Sequence, residues 1–327
     1  MRVLITGGAG FIGSNFARMV MHNEFREISD ITVLDKLTYA GVEENLTQIS
    51  KMSGFTFIKG DICDEKLVSK IMGNFDAVIN FAAESHVDRS INSSAEFVKT
   101  NVLGVQVLLD SIRSTRKKIR FLQISTDEVY GSINSGSWKE SSPLLPNSPY
   151  SATKASGEML ARSYSKTHDL DIVITRCSNN YGKHHFPEKL IPLFITNILE
   201  GKRVPIYGNG ENVRDWLHVD DHCRGIYAAL MNGKSGEIYN IGGGRELSNN
   251  EITYLILKYM GETESIIDFV EDRKGHDFRY SVNWEKINQE LGYTPQVDFE
   301  TGLHETIDWY RNNESWWQPI KKRIRDN

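Results

Sequence analysis

Along the first half of the chain, short apolar runs alternate with longer stretches whose apolar positions recur three and four residues apart. The runs are Arg2 to Thr6, Ile31 to Leu34, Phe55 to Ile58, Ala77 to Phe81, Arg120 to Ser125 and Ile172 to Thr175, and their length and β-branched content predict strands. The stretches beginning near Ile12, Glu65, Ala95 and Ser151 predict helices, each longer than about ten residues. Strand and helix in strict turn imply a parallel sheet with right-handed crossovers and helices on both faces. The expected class is α/β, a doubly wound parallel sheet of the Rossmann kind.

Beyond about residue 180 the rhythm breaks into shorter units: F-P-E-K-L-I-P-L-F-I-T-N-I-L as a helix, V-P-I-Y as a strand, G-N-G-E as a turn, then E-I-Y-N-I-G-G-G. This predicts a smaller mixed α/β C-terminal unit. The division expected is 1–180 and 181–327, with W-L-H-V-D-D-H-C-R-G-I-Y near 216–232 returning to the first unit. The basic end K-K-R-I-R-D-N is expected to be a solvated tail.

Composition narrows the partners. In 327 residues, 38 basic and 43 acidic side chains give a formal charge of −5, without the positive field that nucleic-acid binding uses. No apolar run approaches the roughly 20 residues that span a bilayer, and the chain opens on a strand without a secretory leader pattern. A cytoplasmic protein with no nucleic-acid or membrane partner is expected. Cys63, Cys177 and Cys223 are far apart and outside any C-x-x-C pair, which predicts buried free thiols.

Candidate chemistry begins at T-G-G-A-G-F-I-G, where Gly7, Gly10 and Gly13 fall between the first strand and first helix. Glycines there allow a tight turn, close backbone approach to a pyrophosphate and helix-on-strand packing, with the phosphates over the helix N-terminus. Asp35 ends the second strand, at the position from which an acid bonds a ribose 2′-hydroxyl, so NAD is expected over NADP. Lys36 beside it is the residue that could instead hold a 2′-phosphate. Asp61, in K-G-D-I-C-D, is placed either at the adenine edge or as a helix N-cap. Thr100 and Asn101, in K-T-N-V-L-G, fit a cofactor-side role.

Tyr150 and Lys154, in Y-S-A-T-K, share one face of a helix, where an ammonium favours the phenolate and makes the tyrosine a usable base. Thr126 arrives from the end of the fifth strand. Together with the glycine loop, these residues resemble the extended short-chain dehydrogenase/reductase family. The resemblance implies bound NAD(H), a nucleotide-linked sugar, and Tyr150 as the base for a sugar hydroxyl. Lys154 would hold the nicotinamide ribose, and Thr126 the reacting oxygen. By the same resemblance Phe11, Ile12, Leu37, Thr38, Ile62, Ala82, Ala83 and Asn180 complete the cofactor site.

Three further stretches, S-T-D-E-V-Y-G at 125–131, F-A-A-E-S-H-V-D-R-S at 81–90 and R-C-S-N-N-Y-G at 176–182, look like the nucleoside-diphosphoglucose 4,6-dehydratases of that family. Oxidation at C4 acidifies the C5 proton, and loss of water across C5 and C6 then wants a base and an acid close together. The resemblance assigns Glu128 as base and Asp127 as acid, where epimerases usually carry a small or apolar pair. It implies a dTDP-sugar substrate, with UDP-glucose, UDP-N-acetylglucosamine or a 4-epimerase reaction as alternatives. Glu84, Ser85, His86, Asn179, Lys189, Leu190, Pro205, Tyr207, Arg214, Asn249, Arg273 and His276 would line the sugar, diphosphate and base. A homodimer through helices near 96–113 and 151–167 is implied as well. His218 and His222 have zinc-pair spacing, with His184 and His185 nearby, but no third ligand or H-E-x-x-H glutamate accompanies them. No metal is expected, and Asp220 is read as the cap of a helix starting there.

Overall fold

The computed structural model describes residues 1–326, with side chains described through Arg323. Seven parallel strands form the central sheet: β1 (Arg2–Thr6), β2 (Asp30–Asp35), β3 (Phe55–Lys59), β4 (Ala77–Asn80), β5 (Arg120–Thr126), β6 (Ile172–Cys177) and, from late in the chain, Ile238–Ile241. Their order across the sheet is 238–241, β6, β5, β4, β1, β2, β3. The segment E-I-Y-N-I, read from the sequence with the smaller unit, is therefore an edge strand of the large sheet. Its pairing with β6 is a contact that no local pattern encodes.

Alternation along each strand builds two cores. Val3, Ile5, Val33 and Ile79 pack on one face with helices Phe11–Met21 and Val219–Asn232, while Leu4, Leu34, Val78 and Phe121 pack on the other with helices Glu65–Met72, Gly104–Thr115 and Pro149–His168. Burial on both faces is why these strands read as nearly continuous apolar runs. The helix after Glu65 is shorter than expected, ending at Met72 before Gly73. The one beginning at Ala95 is interrupted by a π turn at Lys99–Leu103.

A third core joins helices Leu190–Leu199, Asn249–Met260 and Phe299–Asn312 to two small sheets. One holds β7 (Asn179–Tyr181), β9 (Val213–His218) and β11 (Glu246–Ser248); the other holds β8 (Val204–Tyr207) and β12 (Ile267–Val270), with Ile238–Ile241 counted as β10. The basic end is not a solvated tail where it is described. It continues helix Glu314–Asp326, and Lys321 is buried, donating to Thr196 Oγ1 at 2.8 Å and Asn197 Oδ1 at 2.7 Å. The side chains from Ile324 onward lie outside the described residues. Strand order reverses between β1 and β4, and in open α/β sheets ligands bind beyond the carboxyl ends of the strands at such a crevice.

Candidate active site

At that crevice a cavity of about 530 Å³ runs from the glycine loop to the small sheets. Gly7 has φ of +68°, and a Cβ there would stand 2.5 Å from the backbone nitrogen of Ala82. A Cβ on Gly13 would stand 2.6 Å from Gly7 O. The loop is thus a cradle that only glycine leaves open, with helix Phe11–Met21 beginning directly behind it.

Asp35 accepts from Ala9 N at 2.9 Å and Leu37 N at 2.8 Å, which fixes its carboxylate at the cavity wall; burial raises its pKa against the pull of those two donors. Lys36 Nζ lies 2.9 Å from Asp61 Oδ2, so its charge is engaged across the adenine end. Asp61 is not the helix cap, since Asp64 accepts from Lys66 N and Leu67 N. These features fit a dinucleotide with a free ribose 2′-hydroxyl. Phe11, Ile12, Thr38, Ile62, Ala82, Ala83, Thr100 and Asn180 also line the cavity.

Two expected cofactor residues are elsewhere. Leu37, at φ +56°, lines a smaller neighbouring cleft and packs on the core, because the tight turn around Asp35 carries it away from the cavity. Asn101, 2% exposed, is a clamp: its Oδ1 accepts from Glu84 N at 2.9 Å, and its Nδ2 donates to Glu84 O and Thr153 Oγ1, both at 3.0 Å.

At the centre, β5 ends in Thr126 and turns through the short 3₁₀ segment Asp127–Tyr130. Facing it, helix Pro149–His168 starts with Ser148 as cap and Pro149 in the first position, two residues before the expected start. This start places Tyr150 and Lys154 on the cavity wall. Lys154 Nζ donates to Ile124 O at 2.6 Å, and burial lowers its pKa to about 8. Tyr150 is held well above its ordinary value, first by burial, then by the charges of Glu128, Cys177 and Asp127, against a hydrogen bond with Thr126. The sequence reading expected a lowered phenol; desolvation beside two carboxyls outweighs the favourable neighbours in the protein alone.

The adjacent acids differ in surroundings. Asp127 is 2% exposed, its Oδ1 3.2 Å from Thr126 Oγ1 and its Oδ2 without a partner. Burial, followed by the charges of Glu128 and Asp215, raises its pKa well above the carboxylate range against the pull of Arg214 and Thr126, which favours its protonated form. Glu128 is only half-buried by its surface. Burial raises it too, but Lys189, Arg214 and Arg273 favour its charged form.

The residues expected to face substrate, Glu84, Ser85, His86, Asn179, Lys189, Leu190, Pro205, Tyr207, Arg214, Asn249, Arg273 and His276, all line the same cavity. Arg214 is largely spent within the protein, donating to Val213 O at 2.7 Å, Phe278 O at 3.2 Å and Asp277 O at 3.0 Å, and lying over the Tyr280 ring. Arg273 is the freer cation, over the Tyr207 ring and 3.5 Å from Asp88. His86 is neutral, its pKa lowered to about 3 by burial.

Sequence reasoning missed Ser125, Cys177, Ser178, Glu188, Asp277 and Tyr280 in the lining. Glu188 adjoins the chosen Lys189, but no spacing rule singled it out. Cys177 is buried as expected, with its thiol pushed up to about 12. The histidines serve packing. His218, not Asp220, caps helix Val219–Asn232, because its Nδ1 accepts from Asp220 N. His222 bonds Asn180 Oδ1 at 2.9 Å, His185 stacks on Phe11, and His184 packs against Trp309 and Trp316. Among the described residues no three His, Cys, Asp or Glu side chains gather as a metal ion would need.

The profile of the GDP-mannose 4,6 dehydratase family matches residues 4–306. The chain belongs to this family. The motif resemblance to the extended short-chain dehydrogenase/reductases is borne out with it. Within the dehydratases, the chain is 53% identical over 323 residues to the dTDP-glucose 4,6-dehydratase of Streptomyces niveus, covering 98% of this chain and 96% of that one. It is 55% identical over 327 residues to the dTDP-glucose 4,6-dehydratase of Streptomyces antibioticus, covering 99% and 96%. The crystal structure of the Streptomyces venezuelae dTDP-glucose 4,6-dehydratase DesIV, with NAD and TDP bound, superposes at a TM-score of 0.96. The two are 52% identical, and the match covers 98% of this chain and all of that one.

Proposed function

We propose that the chain is an NAD-dependent dTDP-glucose 4,6-dehydratase, converting dTDP-glucose to dTDP-4-keto-6-deoxyglucose and water. One observation carries this: a deeply buried Asp127 and a cation-flanked Glu128 stand side by side in the cavity that also holds Thr126, Tyr150 and Lys154. Bound NAD supplies a reversible two-electron acceptor, and its positive nicotinamide adds to the groups that favour the Tyr150 phenolate.

The chain's own residues do the rest. Tyr150 takes the proton of the C4 hydroxyl, while Thr126 hydrogen-bonds the same oxygen and Lys154 holds the positive charge beneath. With C4 a ketone, the C5 proton is acidic, and Glu128, favoured as a carboxylate by Lys189, Arg214 and Arg273, removes it. Asp127, whose protonated form burial favours, gives its proton to the departing C6 oxygen, which leaves as water. Glu128 then returns a proton to C5 as C6 is reduced.

We also infer a homodimer, supported by Val98, Leu103 and Met159, which are 49%, 42% and 58% exposed on helices near 96–113 and 151–167. Among the described residues no helix is long and apolar enough to cross a membrane, and a cytoplasmic setting fits a sugar-nucleotide substrate. Incubation with dTDP-glucose and with UDP-glucose tests the function: the dTDP sugar is expected to give a 4-keto-6-deoxy product. A C4 epimer alone, or no product, overturns it.

A further inference from the structure

Behind the cavity, and lining none of it, lies a buried polar cluster centred on Arg176 of β6. Arg176 and Glu158 are each 2% exposed, and Tyr130 and Asn240 are fully buried. Arg176 Nε donates to Glu158 Oε1 at 3.1 Å and Oε2 at 3.0 Å, and Nη2 donates to Oε1. Its remaining nitrogen, Nη1, reaches Tyr130 OH at 2.5 Å and Glu140 O at 3.2 Å. The Tyr130 hydroxyl in turn donates to Asn240 Oδ1 at 2.8 Å, and the guanidinium lies over the Tyr130 ring at 4.6 Å.

The partners of Arg176 belong to the two catalytic elements. Glu158 stands one helical turn beyond Lys154 and two beyond Tyr150, on the helix that carries the oxidation chemistry. Tyr130 is the last residue of the 3₁₀ turn that opens with Asp127 and Glu128, the elimination pair. That turn is four residues long, too short to fix its own orientation. It is held by β5 at its start, by Leu145 N donating to Val129 O at 3.0 Å, and by Tyr130 at its end.

We propose that Arg176, Glu158 and Tyr130 are positioning residues: one buried guanidinium, shared between helix Pro149–His168 and the Asp127–Tyr130 turn, sets the distance between the groups that oxidise C4 and those that eliminate across C5 and C6. A fork of fixed planar donors suits this task, since it bonds the carboxylate with one edge and the phenol with its other end. The desolvation cost of a buried ion pair largely offsets its attraction, so geometry is the role assigned to this one. Small misplacements of reacting groups cost large factors in rate.

This rests on the dehydratase reading, and the experiment separates the two. Single-turnover reactions of the NAD-loaded enzyme with dTDP-glucose follow NADH absorbance for C4 oxidation and deuterium uptake from solvent at C5 for proton removal. Tyr130→Phe keeps the ring and releases the turn. C5 exchange is expected to fall about tenfold to a hundredfold, with NADH accumulating and its rate of formation held within about twofold. Glu158→Gln acts on the helix, so NADH formation is expected to fall while the ratio of exchange to oxidation stays at the wild-type value. Both variants slowing the same step, or neither slowing any, overturns the proposal. If Tyr130→Phe does not fold, Glu158→Gln decides alone, and unchanged oxidation in it overturns the proposal. Unmutated enzyme that shows no C5 exchange defeats the dehydratase reading instead.

Discussion

Asp127 and Glu128 share a peptide bond but not an environment, and the division of labour proposed for them rests on that difference. Asp127 is buried beside Glu128 and Asp215 with one oxygen unpartnered, while Glu128 faces the field of one lysine and two arginines. Replacing Glu128 by Gln is expected to leave C4 oxidation measurable as NADH and to cut C5 deuterium exchange by about 10²- to 10⁴-fold, the usual worth of a positioned base. Lys154 bears the opposite strain: its folded pKa of about 8 lies below the ordinary 10.5, so the unfolded chain binds more protons between those values. The penalty on folding is therefore full below pH 8 and relieved as pH rises through that window. Lys154→Met is expected to raise the stability of the cofactor-free protein at pH 7 by about 1–3 kcal/mol, seen in thermal melts, while abolishing oxidation. In the active enzyme, the rate of C4 oxidation is expected to fall as pH rises through about 8 and the ammonium is lost.

Between elements, the decisive contact is that of helix Pro149–His168 with the segment Ala95–Thr115. Gly157 lies directly on the π turn, and a Cβ there would overlap the Asn101 carbonyl oxygen. Gly157→Ala is expected to cost about 1–3 kcal/mol in denaturant unfolding and to weaken NAD binding, because Asn101 anchors Glu84 at the end of β4. The elements themselves were largely legible. The predicted β1 and the observed Arg2–Thr6 coincide, and β2 to β6 differ only at their ends, because burial on both faces leaves unbroken apolar runs. The π turn was not legible. It arises where a second helix must approach, and K-T-N-V-L-G has no local mark of it. Nor did the pattern place Ile238–Ile241, a four-residue run whose identity as a large-sheet strand depends on meeting β6.

For the whole molecule, exposed apolar residues on those same two helices predict association. Met159→Lys is expected to shift the protein from dimer to monomer in sedimentation or light scattering, since a charge buried at an apolar contact lacks a partner. The sequence alone determined the α/β alternation, the glycine loop with Asp35, and the residues proposed for the oxidation and elimination chemistry, because each is written in local spacing or in short contiguous motifs. Tertiary structure decided what those residues can still do. It spent Arg214 on backbone carbonyls and left Arg273 with a long ion pair to Asp88, turned Leu37 to the core and Asn101 into a clamp, and buried Asp127 deeply enough to favour its protonated form. Desolvation and hydrogen-bond satisfaction depend on neighbours distant along the chain, and only the folded chain brings those neighbours together.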